Sequence, residues 1–416
     1  MDLRLVNIHL PPPHPPQTII TLLQTLSLPT PSTVSPLKVT ASFHTIYLIH
    51  FPPSTPPIQN ARPNPDGTTT LVLRVSGRHL PGIKTRNEVG VMTWVRQHTT
   101  IPVPAIIRYD DTEDNVLGYE FTLLEKAPGV SVDSIYASLP DTVKTNIVRQ
   151  LAGYIIQLHA QPWTDGYVGG LTVSSSTGGV QHLARGPPID ENYWLFPDVE
   201  KYWSVSAGVV PQGHHPTLET LNPIASRGFP DYVSYSVACL ERYIHAIEMH
   251  PSLEHHRDLI PRVQAFVTQL QRPEYQAELN SVPYILAHKD LHFANIMCDP
   301  DQSDCPITAV LDWEFSGVVP APRWNPPRAF LWNMGWGAED KEEQTRMEGV
   351  FERVVGEMGR GDVLEEMRGG SKRMEQMQTV VSYLRAVVEV CPRGEAADRV
   401  GSWRGVVEGS MDGFGG

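Results

Sequence analysis

The feature that most constrains this chain is the stretch from Tyr284 to Gly317, YILAHKDLHFANIMCDPDQSDCPITAVLDWEFSG. It contains His288-x-Asp290, then Asn295 five residues after that Asp, then an apolar run, Ile307 to Leu311, that ends in Asp312. Apolar pairs at Ile285-Leu286, Ile296-Met297 and Val310-Leu311 predict three short buried strands, each with a polar residue at its end or in the following loop. Loops of that kind can gather Asp290, Asn295 and Asp312 around one point. Ordinary turn chemistry explains the residue types but neither their order nor their spacing.

Carboxylates and an amide oxygen are hard ligands, suited to Mg²⁺, which completes its shell with water and substrate phosphate oxygens. Asp290 is then left to act on a hydroxyl proton. That division of labour suits phosphoryl transfer, where positioning and charge neutralisation dominate. HKDLHFANIM followed by AVLDWEF resembles the catalytic and metal segments of the aminoglycoside phosphotransferase family, whose pattern is H-G-D-x-x-x-x-N and then D-x-[DE]. The resemblance implies a two-lobed, protein-kinase-like α+β fold, with a small antiparallel-sheet lobe, a mostly helical second lobe, and ATP and Mg²⁺ between them. It makes Asp290 the catalytic base, Asn295 and Asp312 the metal ligands and His288 a support of the loop. Glu314 either stabilises the site or binds a second metal. Lys289 stands where the family has Gly.

Composition narrows the alternatives. The 416 residues carry a net charge of −13 with no long Lys/Arg run, which disfavours a nucleic-acid or anionic-membrane partner. The four cysteines, Cys239, Cys298, Cys305 and Cys391, have no CxxC spacing and read as free thiols of a reducing compartment. No apolar run approaches the ~18 residues of a membrane span, and the N-terminus lacks a signal-peptide pattern. The expectation is a cytoplasmic protein.

Residues 1–36 read as a Pro-rich arm, with Ile20 to Leu28 a candidate short helix. Residues 37–127 read as the nucleotide-binding lobe: strands in Val39–Phe51 and Thr68–Gly77, then an amphipathic helix through KTRNEVGVMTWV. By the resemblance, Ser42, Phe43 and His44 occupy the phosphate loop, although ASFHT has no Gly. Arg74 occupies the place of the phosphate-contacting Lys, with Glu88 as its ion-pair partner and Lys84 as an alternative cation. The hinge, with backbone contacts to adenine, falls around Leu124 to Ala127 and includes Glu125. Thr100–Asp110 resembles the family's linker.

Residues 128–416 read as the helical lobe. A helix over Asp141–Gln161 has Asp141 as its N-cap and closes on His159, a structural residue; Gly166–Gly186 reads as loop. Tyr193, Trp194, Phe196, Tyr202 and Trp203 suit either core packing or an apolar acceptor pocket. The predicted activity is transfer of the γ-phosphoryl group of ATP to a hydroxyl of a small molecule, with the oligomeric state open. The rivals are a non-catalytic kinase-like nucleotide-binding or scaffold protein, and a protein kinase, which would carry Asp-Phe-Gly and Ala-Pro-Glu segments absent here.

Overall fold

A computed structural model describes residues 10–38, 43–78, 80–175, 181–190, 227–332, 335, 337–394 and 397–415. Strands β1 (Thr33–Pro36), β2 (His44–Phe51), β3 (Thr69–Ser76), β4 (Ile106–Asp110) and β5 (Phe121–Glu125) form one antiparallel sheet in the order β1-β2-β3-β5-β4. Alternation along β3 puts Leu71, Leu73 and Val75 into an apolar cluster on one face. Arg74, opposite Ile46 on β2 and Thr122 on β5, is thereby turned to the other face. A one-residue slip would drive its guanidinium into the apolar layer, so the hydrophobic pattern itself sets the register.

Helix α1 (Pro16–Thr25) covers that apolar face with Ile19, Leu22 and Leu23. The arm expected over residues 1–36 is, from Pro16 onward, part of the sheet layer. Proline is tolerated in a first helical turn, and the three buried positions form one stripe at helical spacing. β1 also belongs to this sheet, and β4 supplies its far edge inside the segment read as linker.

Helix α2 (Ile83–His98) lies on the face that carries Arg74. Against it packs a hairpin of β7 (Leu171–Ser175) and β8 (Gln181–Arg185), where the sequence suggested a loop. The glycines there mark close approach: a Cβ on Gly170 would overlap the Asn87 side chain and the Pro187 carbonyl.

The remaining strands are short. β6 (Val130–Ser131), β10 (Ile296–Cys298) and β11 (Ile307–Val310) make one sheet, and β9 (Tyr284–Ala287) pairs with β12 (Gly317–Pro320). Around them pack α3 (Asp141–His159), α4 (Tyr232–Met249), α5 (Ile260–Leu270), α6 (Pro273–Leu279), α7 (Ala338–Glu357), α8 (Gly361–Arg368), α9 (Lys372–Val390) and α10 (Ala397–Gly413). α3 buries Ile147, Leu151, Ile155 and Leu158 as its periodicity predicts, with Pro140 rather than Asp141 at the cap position. His159 closes it by pairing with Glu366 at 2.6 Å. All four cysteines are free, and among the described residues no helix is long and apolar enough to cross a membrane.

Candidate active site

His288 directly follows β9; its Nε2 donates to the Leu311 carbonyl at 2.7 Å and its ring lies 4.5 Å from that of Trp313. Because a carbonyl only accepts, this bond puts the proton on Nε2. Burial lowers the pKa of the imidazole, so it is neutral, and it braces the loop after β9 against the end of β11. Lys289 then takes a left-handed backbone, φ +46°.

Asp290 and Asn295 are bonded to each other. The Asn295 amide donates to the Asp290 carbonyl at 3.0 Å and to its Oδ2 at 3.2 Å. The Asn295 carbonyl accepts from the Leu311 amide at 2.8 Å, and Ile296 pairs with Val310 across the β10–β11 ladder. Asp312, the next residue, is therefore beside Asn295, on a left-handed backbone at φ +65°. His292 Nε2 lies 3.3 Å from Asp290 Oδ2. Burial alone would raise the Asp290 pKa, but the His292 and Asn295 donors outweigh it and the net shift is downward, leaving a carboxylate at neutral pH. For His292 burial is likewise outweighed by Asp290, and its pKa rises.

The sheet layer contributes cations from the other side. Arg74 bonds Glu88 through Nη1 and Asp312 Oδ1 through Nη2 at 2.6 Å, while Thr122 donates to the second Glu88 oxygen at 3.1 Å. Lys84, only 1% exposed, pairs with Glu314 at 2.9 Å. His44 lies between them, 3.3 Å from Arg74 Nη2 and 3.4 Å from Lys84 Nζ. Burial pushes the Glu314 carboxyl up to about 7, against the pull of Lys84. Two cations, Arg74 and Lys84, thus face three carboxyl groups, Glu88, Asp312 and Glu314.

The other expected residues are dispersed. Phe43 turns its ring onto Phe315, centroids 5.1 Å apart, and Ser42 lies outside the described residues, as do Tyr193, Trp194, Phe196, Tyr202 and Trp203. Glu125 commits its amide to the Ala105 carbonyl at 2.9 Å and its carboxylate to Arg62 and the Ala105 amide. The Ala127 amide has no hydrogen bond among the described residues, so of the hinge pair it is the one free to meet a ligand.

Two contributors went unread in the sequence. Asn87, on α2, donates to the carbonyls of Glu314 at 2.9 Å and Ser316 at 2.8 Å and accepts from the Leu171 amide at 2.8 Å. His292 supplies the imidazole partner of Asp290. Neither has a local signature: Asn87 is one polar residue in a mixed helix, and His292 reads as loop filler.

Among the described residues no cluster of three His, Cys, Asp or Glu side chains is spaced to hold a metal ion. The Asn295 carboxamide oxygen and Asp312 Oδ2, however, accept no hydrogen bond from the described residues. Two hard oxygens, one from a carboxyl group and one from a carboxamide, fit a divalent cation that takes its other ligands from phosphate and water.

The phosphotransferase enzyme family (APH) matches residues 63–321. Subtelomeric hrmA-associated cluster proteins from two strains of Aspergillus fumigatus are 23% identical over 276 residues, which is 57% of this chain and 50% of theirs. The chain thus spans about half the length of the curated relatives it matches. Among solved structures, a GDP complex of an aminoglycoside 2'-phosphotransferase-IIIa mutant is 14% identical with a TM-score of 0.47, covering 97% of this chain and 99% of that one. A thermostable mutant of aminoglycoside phosphotransferase APH(4)-Ia is 14% identical with a TM-score of 0.46, covering 95% and 98%. With the family matched over well over half of its length, and the H-x-D-x₄-N loop and Asp312 inside the matched region, the chain belongs to the phosphotransferase enzyme family.

Proposed function

We propose that the protein transfers the γ-phosphoryl group of ATP to a hydroxyl of a small molecule, with Asp290 as the base and a nucleotide-binding lobe (37–127) facing an acceptor lobe (128–416). The observation that carries this reading is the chain of contacts from Asp290 to Asn295 to the residue before Asp312, on consecutive loops opposite Arg74. Asp290, ionised and held by His292 and Asn295, would accept the hydroxyl proton and aim its oxygen. Asn295 and Asp312 would hold Mg²⁺, which when bound neutralises charge on the phosphate oxygens. Arg74 and Lys84 are the cations nearest the triphosphate in this reading, and the Ala127 amide is the donor toward adenine. A cytoplasmic location belongs to the same reading and rests on the cysteine usage.

Asp290→Asn preserves the shape and removes the base. Turnover of Mg-ATP with a pool of small hydroxylated metabolites should fall about 10²- to 10⁴-fold, with nucleotide affinity retained. A variant as active as the parent would remove Asp290 from the mechanism. One contact favours a second reading, a non-catalytic nucleotide-binding scaffold: Arg74 already occupies Asp312 Oδ1. Nucleotide binding without turnover in the parent protein would select it.

A further inference from the structure

Lys289, the residue before Asp290, has a left-handed backbone at φ +46°, a conformation that glycine adopts freely and a residue with a Cβ does not. Both ends of its loop are pinned to Leu311: the His288 ring donates to the Leu311 carbonyl at 2.7 Å, and the Asn295 carbonyl accepts from the Leu311 amide at 2.8 Å. A return of φ at 289 to its ordinary negative range therefore has to be absorbed between those pins, by Asp290 and its neighbours. Asp290 is one Cα step of about 3.8 Å from that rotation. Its carboxylate then moves by more than the roughly 1 Å that is enough to cost about 10²-fold in rate.

What opposes that return lies outside the loop. The Lys289 ammonium bonds the Ile189 carbonyl and Asp190 Oδ1, the latter at 2.8 Å. Asp190 Oδ2 accepts from the Tyr235 hydroxyl at 2.7 Å, and Tyr235 is buried on α4. The tether thus runs from the loop through one carboxylate to a core helix. Its strength comes from charge, because an ammonium mostly withdrawn from water stays only where an anion meets it. Without Asp190 the Ile189 carbonyl alone does not offset that desolvation, the ammonium turns out to water, and the backbone penalty at 289 goes unopposed.

We infer that Asp190 is a positioning residue for the catalytic loop: through Lys289 it holds the left-handed turn that places the Asp290 carboxylate. The consequence for rate rests on the reading of Asp290 as the base, whereas the placement of the loop does not.

The test compares three full-length proteins, the parent, Asp190→Ala, and Asp190→Ala combined with Lys289→Gly, by backbone hydrogen exchange and by turnover of Mg-ATP with a pool of small hydroxylated metabolites. The amides of His292 and Asn295 bond the carbonyls of Asp290 and His292 at 3.0 and 2.9 Å, and so report the loop. In Asp190→Ala they should exchange at least about fivefold faster relative to the amides of α3, which report unfolding of the lobe as a whole. Turnover should fall about 10- to 10²-fold with the KM for ATP unchanged. Glycine at 289 needs no tether, so the double variant should recover most of both. If Asp190→Ala does not fold, Asp190→Asn, which keeps the shape and removes the charge, takes its place in both backgrounds. Loop protection that is unchanged, that falls only in step with α3, or that Lys289→Gly leaves unrestored overturns the inference, as does turnover that does not follow the loop. A parent that turns nothing over removes phosphoryl transfer as the activity and leaves the exchange comparison to decide the positioning.

Discussion

Lys289 carries two opposing effects in one residue. Its φ of +46° is a backbone conformation that costs a residue with a Cβ about 1 kcal/mol, and the family pattern has Gly there. What holds Lys in place is its ammonium, which bonds the Ile189 carbonyl and pairs with Asp190 at 2.8 Å. Lys289→Ala keeps the strain and removes one partner of a mostly buried carboxylate that keeps the Tyr235 hydroxyl, a loss of about 1–3 kcal/mol. Lys289→Gly removes the same partner but relieves the backbone, so it should be the more stable of the two by about 1 kcal/mol. Urea unfolding of both variants checks the order, and a less stable Gly variant would show that no strain is stored there. The neighbouring Asp290, Asn295 and His288 were all legible as residues, because their spacing is local. The reason a Lys is tolerated in a glycine's conformation was not, because Asp190 is 99 positions away in the chain.

At the scale of elements, α1 and α7 show how a helix with a weak local signal is tied in by its contacts. Leu23 on α1 is fully buried in the apolar cluster under the sheet, so Leu23→Ala should cost about 2–5 kcal/mol in equilibrium unfolding. A surface arm would lose almost nothing. α7 is anchored by Glu343, which accepts from Arg346 at 2.6 Å and from the Tyr136 hydroxyl at 2.6 Å, with Lys144 at 3.5 Å. The Arg346 hydrogen bond, followed by that of Tyr136, brings its pKa down from 4.5 to about 2. A depressed carboxyl stabilises the fold above its unfolded pKa and loses that contribution as pH falls through the folded value. The parent should therefore exceed Glu343→Gln in thermal stability at neutral pH, and the gap should close between pH 4.5 and 2. A gap constant over that window would mean that Glu343 acts by shape alone. The docking of α7 onto Tyr136 is set by the packing of the lobe.

For the whole molecule, Asn87 is the side chain that joins the layers. From α2 it satisfies two carbonyls of the segment after Asp312 and the first amide of the β7–β8 hairpin. Asn87→Ala leaves three buried backbone groups without partners, each worth about 1–3 kcal/mol, so a loss of at least about 3 kcal/mol is expected. Asn87→Asp keeps the acceptor for Leu171 but turns a carboxylate oxygen onto the two carbonyls that Asn87 donates to. Hydrogen exchange should then show the segment from Asp312 to Ser316 loosening in both variants and the hairpin in Ala alone. Unchanged protection of both segments would place the coupling elsewhere.

The sequence by itself determined the chemistry-bearing loop: the order His288, Asp290, Asn295, Asp312, the strands that carry them, and the family they indicate. Those features depend on spacings of a few residues and on periodicity, which survive without knowledge of the fold. Beyond the Arg74–Glu88 pair, which the sequence already indicated, the pairing of charges was decided only in three dimensions. Arg74 meets Asp312 across 238 positions, and Lys84 meets Glu314. α1 and the glycine-lined hairpin found their places in the same way, because burial against a distant surface, and not local propensity, is what stabilises them.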